Sequence, residues 1–502
     1  MWLGRRCAVS CWKQVVGICT WVVVVSRAVQ AVSNHPLLLV ILFDGFRWDY
    51  VDKFDTPNFH TLMQDGVRAV HVQNVMPTVT MANHYTILTG MYAESHGIVA
   101  NNFYDPKLGE FHMADNADQT DPKWFNTGVE PIWVTNQLKS NERFSGSMLW
   151  PDSLAAVKGI APTYQRGPPL FDTTVDNRTR IDTVISWFLK DDRPINLGLL
   201  YFEEPDEIGH EFGPNSEQMK DTVMALDGLI GYLIEQLKDK GLYEVMNILV
   251  TADHGMSEVL SNKSISLEPY VEGSLYQDYQ LSSMGFLNPV QGKEEEVYRK
   301  LKKMEAEHGE VKVYRRSDAL MTQLNYSSND RISPLIITVD EGFYLIRAEY
   351  EKKYSTTGLH GYFPSVSNMH PFFIAHGPAF KKNYTTEVLS NIDFYELMCH
   401  VLELTPAPNN GSFQNVKHIL VERESDATRA TNYTLLTYFC VAVFCALVTG
   451  VCTIGAFRQR QMHSRVISLE DIRLLSVNNM NHEVKVPLLN EDDEMEEENF
   501  DL

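Results

Sequence analysis

The sequence has few basic residues and no run of them. Its 43 lysines and arginines stand against 65 aspartates and glutamates, which gives a formal net charge of −22. A protein that follows a nucleic-acid backbone presents lysine and arginine along one face. The charge balance therefore argues against a nucleic-acid partner.

Long apolar runs are scarce as well, and the first of two lies at the amino terminus. Arg5 and Arg6 precede an apolar stretch, and Val29-Gln30-Ala31 fits a small-residue cleavage site. This order of features is typical of a secretory signal peptide. We predict a signal peptide over residues 1–31 and a mature chain that begins near Val32.

The second apolar run, residues 433–457, has no charged residue and is followed by Arg458, Arg460 and Arg465. At about 1.5 Å per residue it covers about 37 Å, which is enough to cross a bilayer. Its length and flanks favour a membrane span over a buried core helix. The basic flank places residues 458–502 in the cytosol and predicts a single-pass type I membrane protein.

Cysteine is nearly absent from the segment between these two runs. Three of the seven cysteines lie in the predicted signal peptide and three in the predicted span, which leaves Cys399 alone in the ectodomain. One cysteine cannot form an internal disulfide, so a large core, glycans and bound metal must stabilise this segment. We interpret Cys399 as a buried apolar residue, and intermolecular pairing is the alternative.

Glycosylation sequons support an extracellular location. The motif Asn-x-Ser/Thr occurs six times, at Asn177, Asn262, Asn325, Asn383, Asn410 and Asn432. Such acceptors are used in secreted and surface proteins. A glycoprotein is therefore expected, although short motifs also occur by chance.

The segment between the two apolar runs alternates β-rich apolar stretches with helical patterns and contains no long linker. We predict one α/β domain over residues 32–424, with a smaller inserted subdomain or lid between about Glu258 and Ser355. The stretch EEEVYRKLKKMEAEH within the insertion has the early acids and later lysines of a helix. Residues 425–432 form a short polar stalk.

The cytosolic tail ends in EDDEMEEENFDL, which is too acidic and too poor in apolar residues to form a core. In the same tail, Glu470 precedes Leu474 and Leu475 at the spacing of an acidic dileucine sorting signal. An endocytic or lysosomal sorting adaptor is therefore a hypothetical partner.

Three apolar runs each end on an acid: LLLVILFDG on Asp44, INLGLLYFEEPD on Asp206 and MNILVTADHG on Asp253. Ligands bind outside the carboxyl ends of strands in open α/β sheets. A carboxylate at the edge of a buried sheet must be solvated, paired or bound to metal. The pattern predicts one cleft with a metal site.

Further ligand types follow in the motifs TVTMANHYT, EEPDEIGH, TADHG and GLHGY, which supply Thr80, His210, His254 and His360. Carboxylates and imidazoles without cysteine suit catalytic zinc, and a pair of zinc ions suits phosphoryl transfer. Thr80 precedes a predicted helix whose N-terminal amides would face a phosphate. An ordinary helix cap is the alternative for Thr80.

Together these motifs resemble those of the nucleotide pyrophosphatase/phosphodiesterase ectoenzymes of the alkaline phosphatase superfamily. The matching stretches cover nearly the whole ectodomain and include FDGFRWDY, NHYTILTGMYAESHGIVANNFYDP, PIWVTNQ, INLGLLYFEEPDEIGHEFGP, TADHGMSE, LHGY and MHPFFIAHGPAF. The short forms with one C-terminal span, the fourth and fifth members, are most similar, the fifth above all. The resemblance implies an alkaline phosphatase-like central sheet flanked by helices on both faces.

The resemblance also implies roles for individual residues. It assigns one zinc to Asp44, Thr80, Asp253 and His254, and the other to Asp206, His210 and His360. Thr80 would be the nucleophile and would form a covalent phosphothreonine intermediate. The matching substrate-binding positions are Asn101, which would donate to a phosphate oxygen, and Trp150 and Tyr201, for which core packing is the alternative.

Some positions depart from the family pattern or lie outside the implied site. Val79, Met81 and Ala82 replace residues that are commonly lysine, an aromatic and proline, so a changed rate or substrate choice is expected. All seven implied ligands are present, so zinc binding should persist. We interpret His84, His96 and His376 as structural histidines.

The expected activity is hydrolysis of a pyrophosphate or phosphodiester bond in an extracellular nucleotide, with NAD or dinucleotide polyphosphates as candidates. A lysophospholipid or choline-phosphate phosphodiesterase is one alternative, because related enzymes use the same metal core with another pocket. A catalytically weak cell-surface interaction protein is the other. Sulfatase activity is disfavoured because no Cys/Ser-x-Pro-x-Arg motif is present.

Overall fold

The computed structural model describes residues 32–167, 174–347, 356–422 and all but four positions of 438–461. The predicted signal peptide, the stalk, Asn432 and the dileucine motif at Glu470, Leu474 and Leu475 lie outside the described residues. Contacts divide the chain into two units, Met1–Val421 and Glu422–Leu502. The second unit contains the helix Tyr438–Arg458, which has a mean hydropathy of 2.3 and is the one candidate span in the described residues.

The described residues of the first unit contain both strands and helices throughout. The strands are β1 (Leu37–Phe43), β2 (Gly66–Ala69), β3 (Val72–Gln73), β4 (Asn102–Asp105), β5 (Gly109–His112), β6 (Ser145–Met148), β7 (Tyr164–Arg166), β8 (Leu197–Phe202), β9 (Met246–Thr251), β10 (Ser257–Glu258), β11 (Ser264–Ser266), β12 (Tyr276–Leu281), β13 (Met284–Pro289), β14 (Val311–Arg315), β15 (Leu335–Val339), β16 (Tyr344–Ile346), β17 (Gly358–Leu359), β18 (Phe373–His376), β19 (Tyr384–Thr386) and β20 (Leu389–Ser390). The α-helices are α1 (Tyr50–Lys53), α2 (Pro57–Gln64), α3 (Thr80–Thr89), α4 (Ala93–His96), α5 (Asn116–Thr120), α6 (Pro122–Phe125), α7 (Ile132–Lys139), α8 (Asn177–Phe188), α9 (Asp206–Phe212), α10 (Glu217–Asp239), α11 (Glu294–Glu307), α12 (Ala319–Gln323), α13 (Phe394–Val401) and α14 (Phe413–Val416).

Eight strands form the central sheet, in the order β19-β2-β18-β9-β1-β8-β6-β7. The five neighbours β9, β1, β8, β6 and β7 run parallel. Strand β18 is antiparallel to both of its neighbours, β9 and β2. The sheet is therefore mostly parallel, as the fold class predicted from the sequence requires.

Strand β1 lies in the interior of this sheet, and all seven of its residues are buried. Successive side chains of a strand point to opposite faces, so both faces of the sheet must be covered at β1. This explains why its sequence is a continuous apolar run rather than an alternating one.

The insertion has its own antiparallel sheet, ordered β12-β13-β15-β14, and its own apolar cluster. Helix α11 has three glutamates in its first turn and buries Val297, Leu301 and Met304, which share one face at helical spacing. The predicted helix is present, and the separate sheet and apolar cluster agree with a smaller inserted subdomain. Contacts nevertheless place the insertion in the same unit as the central sheet.

Candidate active site

Three neighbouring strands of the central sheet deliver the three predicted acids. Asp44 directly follows β1, Asp253 follows β9 after one intervening residue, and Asp206 begins helix α9 just after β8. Because β8 and β9 pair with β1 on either side and run parallel to it, their carboxyl ends meet at one edge. All three residues are at least nine-tenths buried.

The Nε2 atom of His254 is the centre of the first group of contacts. It lies 3.1 Å from Asp253 Oδ2 and 3.3 Å from Asp44 Oδ1. Thr80 Oγ1 is also 3.3 Å from this nitrogen. Four residues from three separate segments of the sequence therefore place one ligand atom each around a common point.

Asp206 is the centre of the second group. Its Oδ2 lies 3.3 Å from His210 Nε2, and its Oδ1 lies 3.9 Å from His360 Nε2. The rings of His254 and His360 stack with centroids 3.5 Å apart, so the two groups adjoin. The structure thus brings together all seven ligand positions that the sequence suggested.

The distal ring nitrogens of the three histidines all contact backbone carbonyl oxygens. The pairs are His210 Nδ1 with Gly358 O (2.8 Å), His254 Nδ1 with Gly255 O (2.9 Å) and His360 Nδ1 with Thr78 O (3.1 Å). A carbonyl only accepts hydrogen bonds, so each Nδ1 carries a proton, and in the neutral ring the lone pair is on Nε2. This arrangement is typical of histidines that bind metal through Nε2.

The charge distribution fits divalent cations. One oxygen each of Asp44, Asp206 and Asp253 is buried without a hydrogen-bond partner among the described residues, and each lies within 4 Å of a histidine Nε2. Buried acceptors that face one another are unfavourable unless a cation lies between them. Two sets of possible ligand atoms are close enough to hold a metal ion, with no more than 4.8 Å between atoms. One set comes from Asp206, His254 and His360, and the other from Asp44, His84 and Asp253.

The pKa directions differ among the acids. Burial opposes ionisation of Asp206 and Asp253, but the attraction of His210 lowers the pKa of Asp206 and that of His254 lowers the pKa of Asp253. Burial and the neighbouring Asp253 and Asp206 raise the pKa of Asp44. Burial opposes protonation of His210, but the attraction of Asp206 raises its pKa to about 9. Burial and His254 lower the pKa of His360 to about 3. Without metal, protons must therefore be shared among these acids and imidazoles.

Gly45 allows two of the acids to approach each other. Its φ of +68° is a left-handed conformation, and a Cβ atom there would lie 2.8 Å from Asp206 Oδ1. Its backbone N–H donates to Asp253 Oδ1 at 3.1 Å. The glycine of the FDG motif is required by both the turn and the close approach.

Thr80 is the first residue of helix α3, and the N-cap position is Val79, which has no side-chain cap. The helix-cap role considered for Thr80 is therefore not the one observed. Asn101 accepts a hydrogen bond from the Met81 N–H through its Oδ1 at 2.9 Å, which leaves its NH₂ group as the end that can donate.

Trp150 and Tyr201, the two aromatic residues expected to bind substrate, have fully buried side chains. The Tyr201 hydroxyl donates to Asp44 Oδ2 at 2.6 Å, so this ring supports a predicted metal ligand. Their role in substrate binding stays a prediction.

His84 is the position that sequence reasoning left out of the site. Its Nε2 lies 3.4 Å from Asp253 Oδ2, within ion-pair distance of a predicted metal ligand. The available signal was its spacing, because a residue four positions after Thr80 lies on the same helix face. His96 and His376, by contrast, contact hydroxyl or carbonyl groups away from the ligands, as expected of structural histidines.

A cavity of about 850 Å³ opens beside the second group of ligands. Its lining includes His210, His360 and Asn101 together with the acids Glu207 and Glu211. The cavity is also lined by Asp278 and Arg347, which form an ion pair. The described walls therefore have an excess of negative charge beside the ligand groups.

Comparison with known proteins identifies the family of this chain. Residues 38–363 match the family described as type I phosphodiesterase / nucleotide pyrophosphatase. Human ectonucleotide pyrophosphatase/phosphodiesterase family member 5 is 37% identical over 404 residues, which cover 80% of this chain and 81% of that protein. Human bis(5'-adenosyl)-triphosphatase ENPP4 is 38% identical over 398 residues, which cover 79% of this chain and 84% of that protein.

Solved structures support the same relationship. Murine ectonucleotide pyrophosphatase/phosphodiesterase 5 matches with a TM-score of 0.72 and 40% identity, over 77% of this chain and 100% of that chain. A second structure of the murine protein, an inactive threonine-to-alanine variant in complex with AMP, also has a TM-score of 0.72, with 39% identity over 77% and 100% of the two chains. The chain therefore belongs to the type I phosphodiesterase/nucleotide pyrophosphatase family and is a hydrolase of that class.

Proposed function

We propose that this protein is a membrane-anchored, zinc-dependent phosphodiesterase that cleaves a pyrophosphate or phosphodiester bond in an extracellular nucleotide. The observation that carries the proposal is the position of the Thr80 hydroxyl, 3.3 Å from His254 Nε2 beside buried, unpartnered carboxylates. The names of relatives add support, since one is a bis(5'-adenosyl)-triphosphatase and an inactive threonine variant of another was solved with AMP.

One zinc would be held by Asp44, Thr80, Asp253 and His254, and the other by Asp206, His210 and His360. Imidazole and carboxylate ligands without cysteine favour zinc over magnesium or calcium, which prefer all-oxygen sites. When bound, the ions would lower the pKa of the Thr80 hydroxyl and neutralise charge on phosphate oxygens.

Thr80 and Asn101 would have different roles in the reaction. Thr80 Oγ1 attacks phosphorus, the bond to the leaving group breaks, and a phosphothreonine forms. The Asn101 NH₂ group donates to a non-bridging oxygen, where negative charge develops. Water then cleaves the threonine–phosphorus bond, which restores the hydroxyl and releases a nucleoside monophosphate.

The location follows from the segments outside the catalytic unit. The apolar helix Tyr438–Arg458 would anchor the protein as a single-pass type I membrane protein. Five of the six sequons lie in the described part of the chain, and none of these asparagines is buried. Glycosylation at the cell surface is compatible with their exposure, and sorting to endosomes would depend on the tail.

The acidic cavity gives one observation in favour of a second substrate class. Glu207 and Glu211 would attract a cationic group, such as the choline of a lysophospholipid, as readily as the nicotinamide ring of NAD. Purified ectodomain should therefore be assayed in parallel on NAD, diadenosine polyphosphates and glycerophosphocholine. Activity on the choline ester alone would replace the nucleotide proposal.

The nucleophile is tested by Thr80→Ala. We expect turnover to fall by at least about a thousandfold, because the covalent route is removed. Thr89→Ala is the matched control, since Thr89 lies in the same helix and its buried hydroxyl donates only within that helix, to the Tyr85 carbonyl. Full activity in Thr80→Ala would refute the assignment. If the wild type bound zinc normally but turned over none of the substrates, a catalytically weak cell-surface interaction protein would be favoured instead.

A further inference from the structure

His84 has an unusual environment for a structural histidine. It lies in helix α3, is fully buried, and neither ring nitrogen forms a hydrogen bond within the described residues. Its Nε2 is 3.4 Å from Asp253 Oδ2, and its Nδ1 is 3.8 Å from Asp152 Oδ2. The imidazole thus lies between two carboxylates, one of which is a predicted metal ligand.

Asp152 is buried beside His84, its one ion-pair neighbour within the described residues. It lies in the short 3-10 helix Pro151–Ser153, its side chain is fully buried, and both of its oxygens are without a hydrogen-bond partner in the described chain. A buried carboxylate is strongly unfavourable unless a positive or hydrogen-bonding group faces it. His84 is the one ion-pair neighbour that the structure gives it.

Two aromatic rings pack against the His84 imidazole. The Trp150 ring lies 5.7 Å from it and the Tyr201 ring lies 5.4 Å from it, measured between centroids. With these rings on its sides and a carboxylate at each nitrogen, the imidazole has little freedom to turn. A group held in this way can fix the orientation of whatever it contacts.

We propose that His84, held by Asp152, is a positioning residue that orients the Asp253 carboxylate for metal binding. Gly45 N–H donates to Asp253 Oδ1, and His84 Nε2 lies 3.4 Å from Oδ2, so one group of the chain faces each oxygen of the carboxylate. The inference rests on the proposed function, because Asp253 needs a fixed orientation only if it binds a cation. Outer groups that orient metal ligands typically change metal affinity or activity by about 10- to 100-fold.

The first experiment compares metal binding in His84→Gln, Asp152→Asn and wild-type ectodomain by titration with zinc against a competing chelator. We expect one of two sites to weaken by about 10- to 100-fold in each variant while the other is unchanged. Cobalt(II)-substituted protein should show a changed absorption spectrum at one site, and kcat should fall with little change in KM. His96→Asn is the matched control, because His96 is an equally buried histidine that contacts Thr86 and the Ala82 carbonyl.

The second experiment tests whether Asp152 acts through His84. In a double-mutant cycle, Asp152→Asn should lower affinity in the wild type but have almost no effect in the His84→Gln background. Thermal midpoints of all variants identify any that fail to fold, and Asp152→Asn, which keeps the shape of the side chain, is the informative variant if His84→Gln is unstable.

The outcomes distinguish failure of the proposed function from failure of the positioning role of His84. If wild-type protein bound no divalent cation, the proposed function would fail before any variant is compared. If the wild type bound two divalent cations, and His84→Gln and Asp152→Asn both kept the wild-type metal affinity and cobalt spectrum, only the positioning role would be overturned. Additive effects in the cycle, an equal loss in His96→Asn, or complete loss of one ion in His84→Gln, as for a direct ligand, would also overturn it.

Discussion

Replacing Asp44 by asparagine should have opposite effects on stability in metal-free and zinc-loaded protein. The Asp44 side chain is 1% exposed, and its Oδ1 is a buried acceptor without a hydrogen-bond partner. Burial and the carboxylates of Asp253 and Asp206 raise its pKa, so its charged form is unfavourable when no cation is present. Asparagine keeps the shape, can still accept from Tyr201, and carries no charge.

The expected gain in the free energy of unfolding for metal-free Asp44→Asn is about 1 to 3 kcal/mol, the usual order for relief of a poorly compensated buried charge. An unfolding entropy of about 2.1 cal/mol/K per residue over about 390 residues converts each kcal/mol to about 1.2 °C. The thermal midpoint should therefore rise by about 1 to 4 °C.

The pH dependence gives a further check. The folded-state pKa of Asp44 lies above its unfolded value, so the folded protein binds the proton more tightly. The wild type therefore loses stability as pH rises from the unfolded pKa through the folded pKa. The advantage of Asp44→Asn should be larger at pH 8 than at pH 5 and should vanish near pH 4.

With zinc bound, the wild type should be more stable than Asp44→Asn. Ligand at about a thousand times its dissociation constant adds about 4 kcal/mol per site, and the variant lacks a ligand for one of the two proposed ions. Differential scanning calorimetry at one scan rate, with chelator and then with zinc, measures both states. Asp221→Asn on helix α10 is the control, because Asp221 is exposed. A variant less stable than wild type without metal, or one stabilised by zinc as much as wild type, would refute the reasoning.

Four further predictions follow from other parts of the structure. Gly45→Ala should lower the affinity for one of the two metal ions by at least about tenfold in a chelator competition, because the added Cβ atom would displace the Asp206 carboxylate. Unchanged metal affinity would contradict the close approach of Gly45 to Asp206. NAD should have a higher kcat/KM than NADH, because NADH lacks the positive charge on the nicotinamide ring. Glu207→Gln should reduce the ratio of kcat/KM for NAD to kcat/KM for NADH by about two- to threefold. Equal kcat/KM values for the two compounds in the wild type would mean that the acidic cavity does not face the nicotinamide. Zinc binding at pH 7 should release about one to two protons, from His210 and its neighbours, measured by calorimetry in buffers of different ionisation enthalpy; at pH 9.5 the release should fall. Cys399, buried with its pKa raised by burial, should react with a thiol reagent only after unfolding, and rapid labelling of the native ectodomain would disprove its burial.

The strand-end acids show how much of the site could be predicted from sequence. Asp44, Asp206 and Asp253 each follow an apolar run, and a parallel sheet brings its carboxyl ends to one edge whatever the loops contain. The convergence of the acids therefore required only the recognition of three strands. The helix of the insertion was predicted for a similar reason, since its acids and apolar residues have a local pattern.

Contacts that depend on long-range packing could not be predicted in this way. Asp152 approaches His84 because a short turn after β6 packs against helix α3, and no periodicity in either segment encodes that contact. The hydrogen bond from the Tyr201 hydroxyl to Asp44 was not predicted either, and the substrate-binding role of Tyr201 stays a prediction. The backbone carbonyls that orient the three histidines are not visible in a sequence, because their positions depend on the completed fold.

The residues next to the nucleophile show what the departure from the family pattern means physically. Val79, Met81 and Ala82 are at most 1% exposed, so all three side chains pack in the core rather than line an open site. A lysine with the same degree of burial at position 79 would need a buried partner for its charge. The Met81 backbone N–H contacts Asn101, and Thr80 faces His254, so the apolar segment leaves the arrangement around Thr80 intact. No side chain at these three positions carries a positive charge, so under the proposed mechanism stabilisation of the phosphate would depend more heavily on bound metal and on Asn101. Under that proposal, the changed segment would mean a stronger dependence on metal rather than a degenerate site.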